Sequence, residues 1–318
     1  MPLRPIILAA DERYAMPLAT TLRSVIESNW RDWPFEFFIL YDNFSANVQD
    51  EVLGSIPAGS AKIHWLPVDS GLFTNFSAGY ELLSKLTYVK LVIPSLLPER
   101  LSRVLYLDGD VLVLDDLEPL WQTDLHGAPA GAVSDLFLHT AYLSKGLDPA
   151  RERADHFRYK TELPRVRNYL NAGVLLIDLD TWRKERISEK AFDYLKRYPA
   201  SPHMDQDALN SALDERWASV DPRWNVQNHY RKIRLGEPGR PGIVHFVTRA
   251  KPWLAASRSA NAGLYDSFRC RTRFARTPKD KLADASVRLL TGIKNVLKRR
   301  GLRKKSEWEL GNGMAAQV

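Results

Sequence analysis

Asp108 and Asp110 interrupt what would otherwise be one apolar strand: Val104–Leu107 precedes them and Val111–Leu114 follows. An ionised carboxylate taken out of water costs several kcal/mol unless it is paired or bound to a metal. Side chains two apart share a strand face. If the strand breaks at Gly109, both carboxylates converge just past its C-terminal end, the edge where open α/β sheets bind ligands. Gly109 adds no side chain and permits close approach of another group. Hard carboxylate oxygens suit Mg²⁺ or Mn²⁺, and an ion held there would take a diphosphate. The competing reading is a β-turn with solvated acids, which is how Asp115 and Asp116 read, as a turn or helix cap. Spacing alone leaves the two readings level.

A second group lies far along the chain. In IVHFVTRAKPW, His245 ends an apolar run and is followed by Arg249 and Lys251. A lone His in such a place is ordinarily a satisfied core residue. As a third ligand it would favour Mn²⁺ over Mg²⁺, because imidazole suits transition ions. The cations beyond it suit a diphosphate.

The elements that must position these residues alternate. RPIILAA reads as a buried strand, and YAMPLATTLRSVIES as a helix with Leu18, Leu22, Val25 and Ile26 on one face. FEFFILYD is a strand, ANVQDEVLGSI a helix ending near Gly54, and AKIHWLPVD a third strand. ELLSKLTYVKLVIPSLLP reads as a helix interrupted at Pro94. LNAGVLLIDLDTW is a buried strand, SEKAFDYLKRY and DQDALNSAL are helices, and GIVHFV is a last strand. Short continuous apolar strands alternating with helices predict an α/β sheet covered on both faces. We read one domain over residues 1–255 and an appended segment over 256–318.

The 318 residues are 45% apolar and 26% charged, ordinary globular values. The apolar run Ile6–Ala10 is too short for a signal-peptide core, and no window reaches a membrane span, so the sequence predicts a soluble chain of cytoplasmic topology. Cys270 is the single cysteine and cannot form an internal disulfide, which fits a reducing compartment. Of the net charge of +7, the segment from Arg269 onward carries +10, with 14 Lys and Arg against 4 Asp and Glu. In VRLLTGIKNVLKRRGLRKK, Leu290, Ile293 and Leu297 share a helical face and cations cover the rest. A basic amphipathic helix predicts an anionic membrane surface as partner. The competing reading is a helix packed on the body. Nucleic acid is not expected, since no aromatics interleave with the cations.

Taken together the motifs resemble glycosyltransferase family 8. They are YLDGDVLVLDDLEPLW, NAGVLLIDLDTW (171–182), DQDALN (205–210) and HFVTRAKPW (245–253), with LAADERYA resembling the family's first strand and nucleotide loop. The matches fall in the family's order between residues 8 and 253. The resemblance implies a GT-A fold, with a mixed, mostly parallel sheet covered by helices, and a retaining, Mn²⁺-dependent transferase using a UDP-sugar donor, with Mg²⁺ as the alternative ion. It places Asp108, Asp110 and His245 on the metal, and Ala10, Asp11 and Tyr14 on uracil and ribose. Lys90 falls where a basic residue reaches the sugar and the first metal-site Asp. Asp135, Asn171, Asp205 and Gln206 fall on the donor sugar, and Lys251 on a phosphate. In isolation several of these have plainer readings: Asp11 and Asp205 as helix caps, Asn171 as a turn, Lys90 and Lys251 as surface charges.

Three positions depart from the family pattern. Gly109 is smaller than the residue often found there, Thr248 stands where Gly is common beside the phosphates, and Lys90 replaces what is often Arg, losing a bidentate fork. Retention needs a double displacement or same-face attack. Gln206, a neutral amide at the sugar, is a poor nucleophile, so the sequence favours same-face attack with Gln206 stabilising positive charge. Asp135 or Asp205 as nucleophile stays open. The implied role is transfer of galactose or glucose to a glycan or lipid-linked acceptor in lipopolysaccharide-type synthesis, at the inner face of the cytoplasmic membrane. Loops over 135–168 and 225–240 would build the acceptor pocket. The alternatives are a nucleotide-sugar-binding scaffold and, with no glycine-rich triphosphate loop to support it, a nucleotidyltransferase.

Overall fold

A computed structural model describes residues 4–29, 35–76, 85–135, 168–199, 201, 203–227, 239–247, 251–254, 257, 259–287 and 289–290. Among them, nine strands occur: β1 Arg4–Asp11, β2 Phe35–Asp42, β3 Ala61–Pro67, β4 Arg103–Leu107, β5 Val111–Val113, β6 Ala130–Ser134, β7 Leu170–Asp178, β8 Ala218–Ser219 and β9 Ile243–His245. Seven form one sheet in the order β3-β2-β1-β4-β7-β6-β8, and β5 pairs with β9 in a second, two-stranded sheet. β1 runs parallel to β2 and β4, and β2 to β3; β7 is antiparallel to β4 and β6. The expected mixed, mostly parallel sheet is present.

Both faces of that sheet are covered, which is why its strands read as unbroken apolar runs. On one face Ile6, Leu8, Phe37 and Ile39 pack with Leu18, Leu22 and Val25 of α1 (Ala15–Ser28) and Val52 of α2 (Ala46–Leu53). On the other, Ile7, Phe38 and Tyr106 pack with residues of the 3₁₀ segment Lys85–Val92 and of later helices. That segment leads into α3 (Ile93–Leu96), so the stretch expected as one interrupted helix is a 3₁₀ run and a single turn. Pro94 sits in the first turn of α3, where its missing N–H costs nothing; further inside a helix its ring would clash with the preceding turn. After α4 (Glu118–Trp121) come α5 (Leu179–Lys184), α6 (Ile187–Arg197), α7 (Met204–Leu213) and α8 (Ala262–Arg269). Tyr265 and Phe268 of α8 are buried against Leu112, Leu114, Val244 and Phe246, so α8 closes the second sheet. Among the described residues no helix is long and apolar enough to cross a membrane.

The arrangement creates one topological switch point. From β1 the chain winds outward through β2 and β3, then returns to β4 on the other side of β1. Ligands bind outside the carboxyl ends of strands where winding reverses. Asp11 ends β1 and Asp108 follows β4 at that place.

Candidate active site

Asp108-Gly109-Asp110 is the joint between the two sheets. β4 stays in the main sheet, while β5 departs to pair with β9, bringing Val111 opposite His245. Both ends of the joint are pinned, by Asp108 N–H to the Gly173 carbonyl at 2.8 Å and Phe246 N–H to the Asp110 carbonyl at 3.1 Å. From α1, Thr21 Oγ1 reaches the carbonyls of Gly109 (3.1 Å) and Val111 (2.8 Å). The Val113 N–H donates to Ser24 Oγ and the Ser28 hydroxyl to the Val113 carbonyl, so α1 serves β5 as a neighbouring strand would.

Each carboxylate is held by one oxygen and presents the other. Asp108 Oδ1 accepts from Tyr106 OH (2.7 Å) and Lys90 (3.2 Å), and its Oδ2 lies 3.7 Å from His245 Nε2. Asp110 Oδ2 accepts from Lys251, and its Oδ1 lies 3.2 Å from His245 Nε2. One ligand atom from each of the three residues lies within 4.8 Å of the others. Neighbouring ligands on an octahedral ion with bonds of about 2.1 Å stand about 3 Å apart, so the set fits a divalent ion. Burial opposes the Asp110 charge, but the Lys251 ammonium, then His245, outweigh it and hold its carboxyl well below the usual range.

Space for the cluster comes from a glycine. A Cβ built on Gly173 of β7 would stand 2.0 Å from His245 Cε1, 2.7 Å from Nδ1 and 2.8 Å from Asp108 Oδ2. Gly173 therefore cradles the ligands. At Gly109 an added Cβ would meet only Tyr14 Cδ1 at 3.5 Å and the Ala9 carbonyl at 3.7 Å, ordinary contacts, so the fold does not demand glycine there.

Lys90 lies beneath the site, 3% exposed. Its ammonium bonds Asp108, the Ala172 carbonyl at 3.2 Å and Asp205 Oδ2 at 2.9 Å, matching its three N–H donors. Burial alone would lower its pKa, but the charges of Asp108 and Asp205 raise it well above the ordinary value. Asp205 responds in the opposite sense to an ordinary ion pair: burial pushes its carboxyl up more than Lys90 and Thr87 pull it down. One lysine shared between two acids does not fully serve the deeper one. Asp205 is thus no helix cap, its Oδ1 accepting instead from Thr87 at 2.6 Å.

The other residues that the family resemblance places on the donor sugar form one hydrogen-bonded line. Gln206 Nε2 (3.1 Å) and Asn171 Nδ2 (3.0 Å) both donate to Asp135 Oδ2. Asn171 Oδ1 accepts from Gly173 N (3.1 Å) and from Asn225 Nδ2 (2.9 Å), and Asn225 Oδ1 faces His245 Nδ1 at 3.1 Å. Gln206 Oε1 accepts the Ala172 N–H at 3.0 Å.

Beside the Asp108–Asp110–His245 cluster lies an open pocket lined by Ala10, Asp11, Arg13, Tyr14, Thr87, Tyr106 and Asp108–Asp110. Asp11 makes no side-chain cap; its Oδ2 takes Arg13, and its buried Oδ1 has no partner among the described residues. A buried acceptor left open costs about 1–3 kcal/mol, and an N–H or O–H of a nucleoside would satisfy it. Burial and the nearby charges of Asp110 and Asp108 push the Tyr14 phenol far up, so it is a neutral donor.

The structure thus brings Asp108, Asp110, His245 and Lys251 together, with Ala10, Asp11, Tyr14 and Gly109 beside them and Lys90, Asp205, Asn171, Asp135 and Gln206 below. Thr248 lies outside the described residues. Sequence reasoning missed Gly173, Asn225, Thr21, Thr87 and Tyr106. Gly173 stands inside the NAG motif, where a glycine in an apolar strand signals close approach. Nothing in RWNVQ singles out Asn225.

The model of Glycosyl transferase family 8 matches residues 5–257. The chain belongs to that family. It is a glycosyltransferase of the GT-A fold. LgtC, a galactosyltransferase solved with donor and acceptor sugar analogues, superposes with a TM-score of 0.72 at 26% identity, covering 88% of this chain and 99% of LgtC. General stress protein A of Bacillus subtilis (strain 168) is 27% identical over 265 residues, 78% of this chain and 86% of that protein. Glycosyltransferase GlyF of Streptococcus pneumoniae is 25% identical over 273 residues; 84% of this chain matches 61% of GlyF.

Proposed function

We propose that the enzyme moves a hexose, galactose or glucose, from a UDP-sugar to a glycan or lipid-linked saccharide, with retention and with Mn²⁺. The carrying observation is the convergence of one free oxygen each from Asp108 and Asp110 with His245 Nε2, at the switch point and beside a pocket holding the orphaned Asp11 Oδ1. The likeness to a galactosyltransferase solved with sugar analogues supports a hexose.

A bound divalent ion would supply positive charge to the diphosphate leaving group. Asp108, Asp110 and His245 would hold it, and Lys251 adds a fixed cation on the same side. Asp11 Oδ1 and Tyr14 orient the nucleoside. On the sugar side Asp135 accepts from Asn171 and Gln206, and Asp205 is bound by Lys90 and Thr87. Carboxylates so committed are weak nucleophiles, which favours same-face attack, the departing phosphate taking the acceptor's proton.

The membrane role rests on the tail. Leu282, Leu289 and Leu290 are 70%, 67% and 58% exposed on the last described helical turns, and the sequence that follows is rich in Lys and Arg. Such a face suits an anionic bilayer. With it goes placement on the inner face of the cytoplasmic membrane and a role in cell-surface polysaccharide synthesis.

The test is a panel of UDP-sugars with Mn²⁺ or Mg²⁺, read as UDP release and thermal stabilisation. One UDP-hexose should be hydrolysed slowly with Mn²⁺, and UDP should bind more tightly with Mn²⁺ than without, a coupling weakened in His245→Ala. Equal UDP affinity with and without Mn²⁺ sinks the reading. Binding without turnover on any acceptor points to a scaffold, and pyrophosphate release from a nucleoside triphosphate to a nucleotidyltransferase.

A further inference from the structure

We infer that Asn225 is a positioning residue: it fixes which ring nitrogen of His245 faces the two aspartates and ties that ring to the Asp135–Gln206 side of the site. The inference rests on the metal reading for its consequence, but not for its geometry.

The direction of every bond in the line follows from groups that have no choice. The Gly173 N–H can only donate, and it points at the Asn171 side-chain atom 3.1 Å away, which must be the oxygen. The Asn171 nitrogen then faces Asp135 Oδ2 at 3.0 Å, as an ionised carboxylate requires. Because the Asn171 oxygen is the atom facing Asn225, the Asn225 atom 2.9 Å away must be its nitrogen. The Asn225 oxygen is therefore the atom 3.1 Å from His245 Nδ1, and an oxygen there demands Nδ1–H. A backbone donor at one end of the line and a carboxylate at the other leave one assignment for every amide between them. With Nδ1 protonated in either charge state of the ring, Nε2 is the atom that can present a lone pair to an ion.

The fold holds Asn225 for this role. It is 2% exposed, at the end of the 3₁₀ turn Pro222–Asn225, which Asp221 opens by accepting the Arg223 N–H at 2.9 Å. The next residue is laced to β9: Val226 N–H donates to Ile243 O at 2.9 Å, and His245 N–H to Val226 O at 3.0 Å. Asn225 and His245 thus belong to one rigid unit. Partners on the second nitrogen of a metal-binding histidine set its tautomer and orientation, and their loss typically lowers metal affinity about 10–100-fold. The other half of the amide links the same ring to Asn171, Asp135 and Gln206.

The experiment uses the full chain and the metal-free and Mn²⁺-titrated proteins. Histidine ¹⁵N NMR, with the His245 signal assigned through His245→Gln, should show Nδ1 protonated in metal-free wild type; a neutral ring protonated at Nε2 overturns the inference. Mn²⁺ titration by electron paramagnetic resonance should show Asn225→Leu binding about 10–100-fold more weakly, and Asn225→Asp, which still accepts from Nδ1 but sets a second acceptor against Asn171 Oδ1, binding more tightly than the leucine variant. Asn225→Leu binding as tightly as wild type, or Asn225→Asp falling as far as the leucine variant with its fold intact, refutes the assignment. If Asn225→Leu does not fold, the wild-type NMR signal and Asn225→Asp still decide. Wild type that shows the Nδ1–H ring but binds no Mn²⁺ overturns the metal reading and leaves the positioning of His245 standing.

Discussion

Replacing Gly173 with alanine adds one methyl group at the centre of the site. Gly173 is not among the glycines with positive φ, so alanine suits its backbone and the effect is steric. The new Cβ would lie 2.0 Å from His245 Cε1, and ordinary carbon contact begins near about 3.5 Å, so the ring must retreat by roughly 1.5 Å. It has little freedom to do so. Its backbone is paired to Val111 in β5, and its Nδ1 is held by Asn225. Retreat lengthens the 3.2 Å approach of Nε2 to Asp110 Oδ1, and the same methyl pushes on Asp108 Oδ2 from 2.8 Å. Over-packing of this kind costs about 1–3 kcal/mol of stability, and a ligand displaced by more than an ångström no longer shares an ion with its partners.

The expected result is a folded protein with a lowered melting temperature and Mn²⁺ affinity reduced at least about tenfold by titration calorimetry. The partner experiment is Gly109→Ala, whose Cβ makes only ordinary contacts and should leave melting temperature and Mn²⁺ affinity unchanged. The double variant Gly173→Ala with His245→Ala should lose far less Mn²⁺ affinity relative to His245→Ala than Gly173→Ala loses relative to wild type, since the clash with the ring is gone and only the 2.8 Å push on Asp108 Oδ2 remains. Gly173→Ala that binds Mn²⁺ within about threefold of wild type would show that the cluster tolerates displacement and that the cradle argument is wrong.

Asp110→Asn should cut Mn²⁺-dependent turnover by about a hundredfold or more while circular dichroism stays native, because a facing ligand charge is lost; activity within about twofold of wild type at matched Mn²⁺ contradicts it. Lys90→Met should destabilise the fold by about 3–5 kcal/mol in chemical denaturation, because Asp108 and Asp205 are left without their shared cation; an unchanged midpoint would show that the two acids are served by other groups. Deleting residues 286–318 should abolish sedimentation with anionic liposomes, preserve transfer to a soluble acceptor, and remove a salt dependence set by eight Lys and Arg between Arg288 and Lys305, each contributing about 1 kcal/mol near the surface. Full-length protein that ignores such liposomes at low salt refutes the membrane reading.

The carboxylate pair was legible because burial of charge is penalised wherever it occurs, so two acids inside an apolar run announce a compensating partner. The β1–α1–β2–α2–β3 half was legible for a similar reason, β1 and β2 being near-continuous apolar runs and the edge strand β3 alternating through Ile63 and Trp65. β6 was not: Ala130, Gly131 and Ala132 have the composition of a loop. They form a strand because they pair with β7 and β8, and Leu125 fills the space a Cβ on Gly131 would need, contacts no local pattern encodes. The departure of β5 from the main sheet was equally hidden, because Val111–Val113 looks like the continuation of β4.

The site divides the same way. Residues that carry charge or could ligate a metal were visible as types. Residues that create space or set direction, Gly173 and Asn225, depend on what lies opposite them, and that is decided by strand pairing between segments distant in sequence. The pairing of β5 with β9 brings His245 to Asp110; the pairing of β4 with β7 puts Gly173 behind Asp108. The joint at Gly109 permits both, since one continuous strand would have kept Asp108 and Asp110 in a single sheet, one step away from the histidine. The two carboxylates are therefore best understood as the joint between two sheets, and their charge as tolerable because each has its own partners: Lys90 from the 3₁₀ segment and Tyr106 from β4 for Asp108, His245 from β9 and Lys251 beyond it for Asp110.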